Sequence, residues 1–218
     1  MEQAFIENIF KINDRNTFRA AALEVFHFQA QHSQVYREYL AALGTDPASV
    51  REIEEIPFLP IEFFKTHVVI EEGLEAEVVF ESSGTAGITP SRHHVTDAGL
   101  YKESFLRTFF SFYGSPEELC ILALLPSYLE REASSLVYMM DHLIRWSKHP
   151  DSGFYLENLE ELSAILQKRN NDQQATLLVG VSFALLESSL LGRTIKVQDV
   201  FDGKTGRYEQ DINLHYRI

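Results

Sequence analysis

The chain has 218 residues, 45% hydrophobic and 23% charged, enough apolar material for one sizeable core or one core with a small appendage. Sixteen Phe and nine Tyr exclude a low-hydrophobicity disordered class for most of the length. Nineteen basic against thirty-two acidic residues give a formal net charge of −13 with no basic run, which argues against nucleic acid and anionic lipid as partners.

Met1-Glu2-Gln3-Ala4-Phe5 lacks the basic start, apolar stretch and small-residue cleavage site of an export signal. No stretch reaches the roughly 18 to 20 uninterrupted apolar residues that cross a bilayer, so no membrane span is expected. The single cysteine cannot form an internal disulfide, and a reducing cytoplasm suits all three features.

In chain order, residues 4–43 place apolar positions at helical spacing, as in Phe18, Ala21, Ala22, Val25, Phe26 and in Val35, Tyr36, Tyr39, Leu40, Leu43. Gly44 ends this helical segment, and Asp46-Pro47 supplies an N-cap and first-position proline for a short helix. The run Ile56-Pro57-Phe58-Leu59-Pro60 interrupts regular structure. Strands are expected at 67–70 and 78–81, with an acidic turn through Glu71, Glu72 and Gly73 between them, and a third at 93–96. Asp97 caps a helix reaching about Tyr113.

A strand at 120–125, a helix at 132–145, a loop at 149–153, a helix at 157–168 and a strand at 176–180 follow. This alternation predicts an α/β fold, a helical N-terminal segment followed by a largely parallel sheet flanked by helices. Residues 188–218 show short alternating runs around Asp202-Gly203-Lys204-Thr205-Gly206, a β-hairpin by local pattern.

The chemistry concentrates at Ser82-Ser83-Gly84-Thr85-Ala86-Gly87, between two expected strands. Glycine tolerates the dihedrals that turn several backbone N–H groups toward one oxyanion and admits phosphate closely, while the hydroxyls add donors. It is not a Walker loop, because no Gly-Lys-Ser/Thr ends it. Composition alone favours a small-residue hairpin turn, Ser and Gly being ordinary turn formers.

With its flanks, Val79 to Ser91, this segment resembles the phosphate-binding motif of the adenylate-forming superfamily, the fold of acyl-CoA synthetases, luciferase and peptide-synthetase adenylation domains. Ile56-Pro57-Phe58-Leu59-Pro60-Ile61-Glu62-Phe63-Phe64-Lys65 and Pro90-Ser91-Arg92-His93 are similar to the acyl-protein synthetase branch, the LuxE-type component of bacterial luminescence. Leu124 to Arg131 and Gly180 to Leu186 lie where relatives of that branch carry similar sequences.

The resemblance implies ATP-dependent activation of a carboxylic acid, a fatty acid by family habit, as an acyl-adenylate, then transfer to a protein thiol. Ser82, Ser83, Gly84, Thr85 and Gly87 would hold the triphosphate, with ATP and Mg2+ as cofactors, and an acyl-acceptor protein would be the partner. Residues 1–187 would be a partial large domain, mainly helical over 1–66 and α/β over 67–187, with 188–218 unmatched. Ala86 stands where the family usually has a second threonine, and no lysine follows Pro90.

The remaining site assignments carry two readings each. Arg92 supplies the missing positive charge or is a solvated strand-end cation. Tyr128 and Arg131 follow a strand end and line the acyl or nucleotide pocket, or Arg131 pairs with a neighbouring acid. Gly180, Ser182 and Phe183 touch the acyl chain or adenine, or form only a tight turn.

His93 and His94 point to opposite strand faces, and His142 and His149 lack zinc spacing, so no metal-ligating residues are assigned. Cys120 opens an apolar run and reads as core, with a raised pKa. Family motifs expected farther along, a glycine-rich segment and a Tyr-Gly-x-Thr-Glu type sequence, have no match. A truncated or degenerate relative that binds nucleotide or a partner without turnover is therefore the alternative function, and an acyl- or aryl-CoA ligase a third. An apolar face left exposed would favour a homo-oligomer.

Overall fold

The computed structural model describes residues 6, 8–82, 89–125 and 133–180, together with the backbone of 200–202 and 206–208. It divides into two compact units, one comprising residues 1–107 and 133–135, the other 108–132 and 136–218.

The first unit opens with α1, Arg15–His32. Asp14 caps it: its carboxylate accepts from the Thr17 N–H at 2.8 Å, while the Thr17 hydroxyl accepts from the Asp14 N–H at 3.3 Å. Ser33 separates α1 from α2, Gln34–Leu43, so the helical N-terminal segment consists of more than one helix. Gly44 ends α2 at φ 68°, a left-handed conformation suited to glycine, with Thr45 N–H donating to Leu40 O at 3.0 Å. Asp46 then accepts from the Ala48 N–H at 3.0 Å and starts a single 3-10 turn, Pro47–Ser49.

Phe26, Ala30, Tyr36, Leu40 and Val50 form the core of this helical part, with Leu23, Tyr39, Ile56 and Leu59 packed around them. The positions recur at three- and four-residue intervals because α1 and α2 each bury one stripe. Tyr36 O–H donates to Pro57 O at 2.8 Å, which ties the proline-rich run to this core.

The expected strand at 67–70 does not form. A short helix, α3, Phe63–Thr66, occupies the approach to it, and His67 is its C-cap, donating its N–H to Phe63 O at 2.8 Å. Val68 is 58% exposed, so its β-branched neighbours have propensity without a strand to pair with. Strands β1, Val78–Glu81, and β2, Arg92–Val95, pair antiparallel as a separate two-stranded ribbon. The helix α4, Ala98–Tyr113, follows, and Asp97 accepts from the Leu100 N–H at 2.8 Å as its cap.

The second unit holds the parallel sheet, in the order β4-β3-β5. Its centre is β3, Cys120–Leu124, flanked by β4, Gly153–Phe154, and β5, Thr176–Gly180. Every residue of β3 is fully buried, as a central parallel strand covered on both faces must be. Cys120, Leu122 and Leu124 share one face with Leu162 and Leu166 of α6, Leu159–Asp172.

Helix α5, Ser135–Ser147, connects β3 to β4 and buries Val137, Met140, Leu143 and Ser147 along one stripe. The α/β architecture with a helical N-terminal segment and a helix-flanked parallel sheet is thus present. Farther along, β6, Val200–Asp202, and β7, Gly206–Tyr208, pair antiparallel across residues 203–205.

Candidate functional site

In the chain the glycine-containing segment joins β1 to β2. The register of the β1–β2 ribbon sets Glu81 directly opposite Arg92, with Phe80 opposite His93 and Val78 opposite Val95. Past the last ladder pair, Ser82 and Ser91 close the neck. Ser82 N–H donates to Ser91 O at 3.0 Å, and Ser91 N–H donates to Ser82 Oγ at 2.9 Å. Ser82 Oγ therefore accepts one hydrogen bond and keeps its own proton available for donation.

Beside this clasp, Arg92 Nε donates to Glu81 Oε1 at 2.9 Å. The Arg92 side chain is 62% exposed, and among the described residues no acceptor meets its two terminal nitrogens. Exposed pairs of this kind contribute only roughly 0.2–1 kcal/mol, so the bond orients the guanidinium more than it stabilises the fold.

The ribbon is anchored along its length. Phe80 is buried and packs on Tyr101 of α4, ring centroids 4.9 Å apart, and Glu81 N–H donates to Ala133 O at 2.8 Å. Glu77 Oε2 accepts from the Ala98 N–H at 2.9 Å, fixing the start of α4 to the opposite end of the ribbon. His93 stacks near Phe64 at 6.1 Å. Burial raises the Tyr101 phenol above its ordinary pKa, partly offset by a hydrogen bond with Ser135.

Of the triphosphate residues expected from sequence, Ser82 stands at the neck, whereas Ser83, Gly84, Thr85 and Gly87 lie outside the described residues. Arg92 is paired through Nε, and its outer nitrogens meet no acceptor among the described residues. Gly180 ends β5 opposite Leu124, the last residue of β3, so both strands reach the same carboxyl edge, the edge at which α/β sheets bind ligands. Tyr128, Arg131, Ser182 and Phe183 follow that edge in the chain and lie outside the described residues.

Glu81 and Ser91 escaped sequence reasoning as site residues. The signal was present as an acid and a base flanking the loop on either side. It needed the ladder register to become an interaction.

A second polar cluster sits at the amino edge of the parallel sheet. Arg169, 8% exposed, places Nη1 3.1 Å from His149 Nε2 and Nη2 2.9 Å from Asp172 Oδ2, with Asp151 Oδ2 at 3.4 Å. Its Nε is buried without a partner. Ser147 Oγ donates to Leu119 O at 2.8 Å, and Ile121 N–H donates to Ser152 Oγ at 2.9 Å. These bonds fix the α5–β4 connection against β3 and α6. They lie at the edge opposite to the one where ligands of such sheets bind, so we read them as structural.

Cys120 lies among them, fully buried, and burial pushes its thiol above the ordinary value, with the Ser152 hydrogen bond working the other way. A thiol so placed has little thiolate and no access, the reverse of what an acyl acceptor needs. Among the described residues no group of three or more His, Cys, Asp and Glu could hold a metal ion, and no helix is long and apolar enough to cross a membrane.

No curated protein and no solved structure matches the chain. Residues 9–103, which include α1 to β2 and the glycine-containing segment, match the family described as acyl-protein synthetase, LuxE.

Proposed function

We propose that the chain takes part in ATP-dependent activation of a carboxylic acid, followed by transfer of the acyl group to a protein thiol. The observation that carries this reading is the acyl-protein synthetase match over residues 9–103, which spans the Ser82 to Gly87 loop and both strands that present it.

In the first step a carboxylate oxygen attacks the α-phosphorus of ATP, and the bond to the leaving pyrophosphate breaks. In the second a thiolate attacks the acyl carbon and AMP departs. The first step asks the protein chiefly to position and neutralise phosphate charge. In this proposal Ser82, Ser83, Gly84, Thr85 and Gly87 contact the triphosphate through backbone N–H groups and hydroxyls, and the free Ser82 proton at the neck suits that use.

The described donors at the neck, a hydroxyl and a guanidinium, fit an anionic nucleotide. Magnesium bound with the nucleotide would supply further charge neutralisation. Tyr128, Arg131, Gly180, Ser182 and Phe183 would line the acyl or adenine pocket at the carboxyl edge of β3 and β5. The substrate of this reading is a fatty acid, the setting a reducing cytoplasm, and the acceptor a cysteine other than Cys120.

Carboxylate-dependent exchange of labelled pyrophosphate into ATP by the full chain tests the proposal, and a panel of fatty acids should support exchange. ATP binding without exchange for any acid would instead favour a nucleotide-binding relative that does not turn over. Ala86, one hydroxyl short of the family loop, is the observation behind that second reading. An acyl group recovered on coenzyme A and not on protein would redirect the second step to a small-molecule thiol.

A further inference from the structure

Arg92 and Glu81 face each other at the last ladder position before the loop, and the ribbon register makes the pairing a property of the backbone. Arg92 uses only Nε toward Glu81, at 2.9 Å. The guanidinium is planar, so fixing Nε to a carboxylate restricts the direction of the two Nη groups at its outer end, in the same plane. Those groups carry four N–H donors, reach solvent and meet no acceptor among the described residues. An arginine whose inner nitrogen is held and whose outer fork is free is prepared for a bidentate oxyanion.

The rest of the neck holds the same geometry. The two Ser82–Ser91 hydrogen bonds prevent the strands from parting beside the pair, and the Glu81 N–H is itself tied to Ala133 O at 2.8 Å. Glu81 therefore has its backbone N–H and one carboxylate oxygen, Oε1, engaged. Held in this way, it is well placed to aim its partner.

We infer that Arg92 is a phosphate-binding residue of the nucleotide site and that Glu81 is a positioning residue which orients its guanidinium toward the triphosphate. The inference rests on the nucleotide reading above and adds a cation and its aiming device to the hydroxyls and backbone of the loop. The ligand class is a nucleoside triphosphate, recognised through its oxyanions and not its base. Glu81 lowers the entropy that Arg92 would otherwise lose on binding, so its effect passes entirely through Arg92.

Titration calorimetry of the full-length chain with ATP and magnesium tests this, with adenosine as the phosphate-free control and circular dichroism to verify folding. Arg92→Ala should weaken ATP about tenfold or more, the scale of one lost charge-assisted hydrogen bond, and leave adenosine unchanged. Arg92→Lys, which keeps the charge but has no fork, should recover only part of that affinity. Glu81→Ala should weaken ATP less, and Glu81→Gln, which keeps an acceptor oxygen, should restore most of the loss.

The decisive arm is the double variant: the Glu81→Ala effect should vanish in an Arg92→Ala background, because the two act as one unit. Unchanged ATP affinity in Arg92→Ala, additive losses in the double variant, or equal losses for adenosine would each overturn the inference while leaving the loop as a nucleotide site. No ATP binding by the wild-type chain would overturn the nucleotide reading itself, and this inference with it.

Discussion

Arg92 and Arg169 make the same bond and have opposite meanings. Each donates to a carboxylate oxygen at 2.9 Å, Arg92 to Glu81 and Arg169 to Asp172. Arg92 is 62% exposed and its outer nitrogens meet no acceptor among the described residues, whereas Arg169 is 9% exposed at its side chain and spends its terminal nitrogens on His149, Asp151 and Asp172. The distance therefore says little about role. What decides it is how many donors remain for something that is not protein, and whether that something could reach them.

The comparison can be tested by stability, beginning with the burial that surrounds Arg169. Leu122→Ala, a truncation in fully buried β3, should lower the unfolding free energy by about 2–5 kcal/mol in urea titration, since the parallel sheet has little room to collapse into the cavity. A loss under about 1 kcal/mol would show that this core relaxes freely and that burial is a poor guide here.

Next in size is Arg169→Ala. It removes a buried cation from two carboxylates and a histidine nitrogen and should cost about 1.5–3 kcal/mol, the range for hydrogen bonds to charged groups. A neutral result would mean that the orphaned Nε already offsets what the other nitrogens gain.

Smaller, and dependent on pH, are the buried hydroxyl and thiol of the two cores. Burial raises Cys120 above the ordinary thiol value, and raises Tyr36 from 10.0 to about 12 with added repulsion from Tyr39. In each case the folded chain keeps a proton that the unfolded chain releases, so the stabilising contribution is full below the unfolded value and is lost as pH rises toward the folded one. Stability should therefore decline from about pH 9 upward as Cys120 is felt, and further between pH 10 and about 12 as Tyr36 is felt. Cys120→Ala should flatten the first part and Tyr36→Phe the second in pH-dependent melts.

The smallest stability effect belongs to the exposed pair. Arg92→Ala or Glu81→Ala should change the unfolding free energy by less than about 1 kcal/mol, as surface ion pairs do, even where ATP binding suffers. Losses as large as that of Arg169→Ala would make both arginines structural and end the contrast between them.

How far these features could be read without the fold differs by their range. Gly44, Asp46-Pro47 and Asp97 were legible as caps because each acts on atoms within three or four residues of itself. The strands at β3 and β5 were legible from their apolar runs. Residues 67–70 misled because Val68, Val69 and Ile70 favour a strand by side-chain shape, yet a strand exists only with a partner and none is supplied. β4 was missed for the inverse reason, since Gly153 and Phe154 are a strand only through their pairing with Leu122 and Ala123.

Sequence by itself determined the α/β class, the helical beginning, the loop of small hydroxylated residues and the likeness to acyl-protein synthetases, because these depend on local pattern and motif. Tertiary structure decided that the strands flanking the loop pair with each other as an antiparallel ribbon and do not join the parallel sheet, that Ser82 is clasped by Ser91, and that Glu81 meets Arg92. It also decided that Arg169 is committed and Arg92 is not. Pairing across eleven residues, like burial of a guanidinium, depends on which segments come together, and neither propensity nor spacing carries that information.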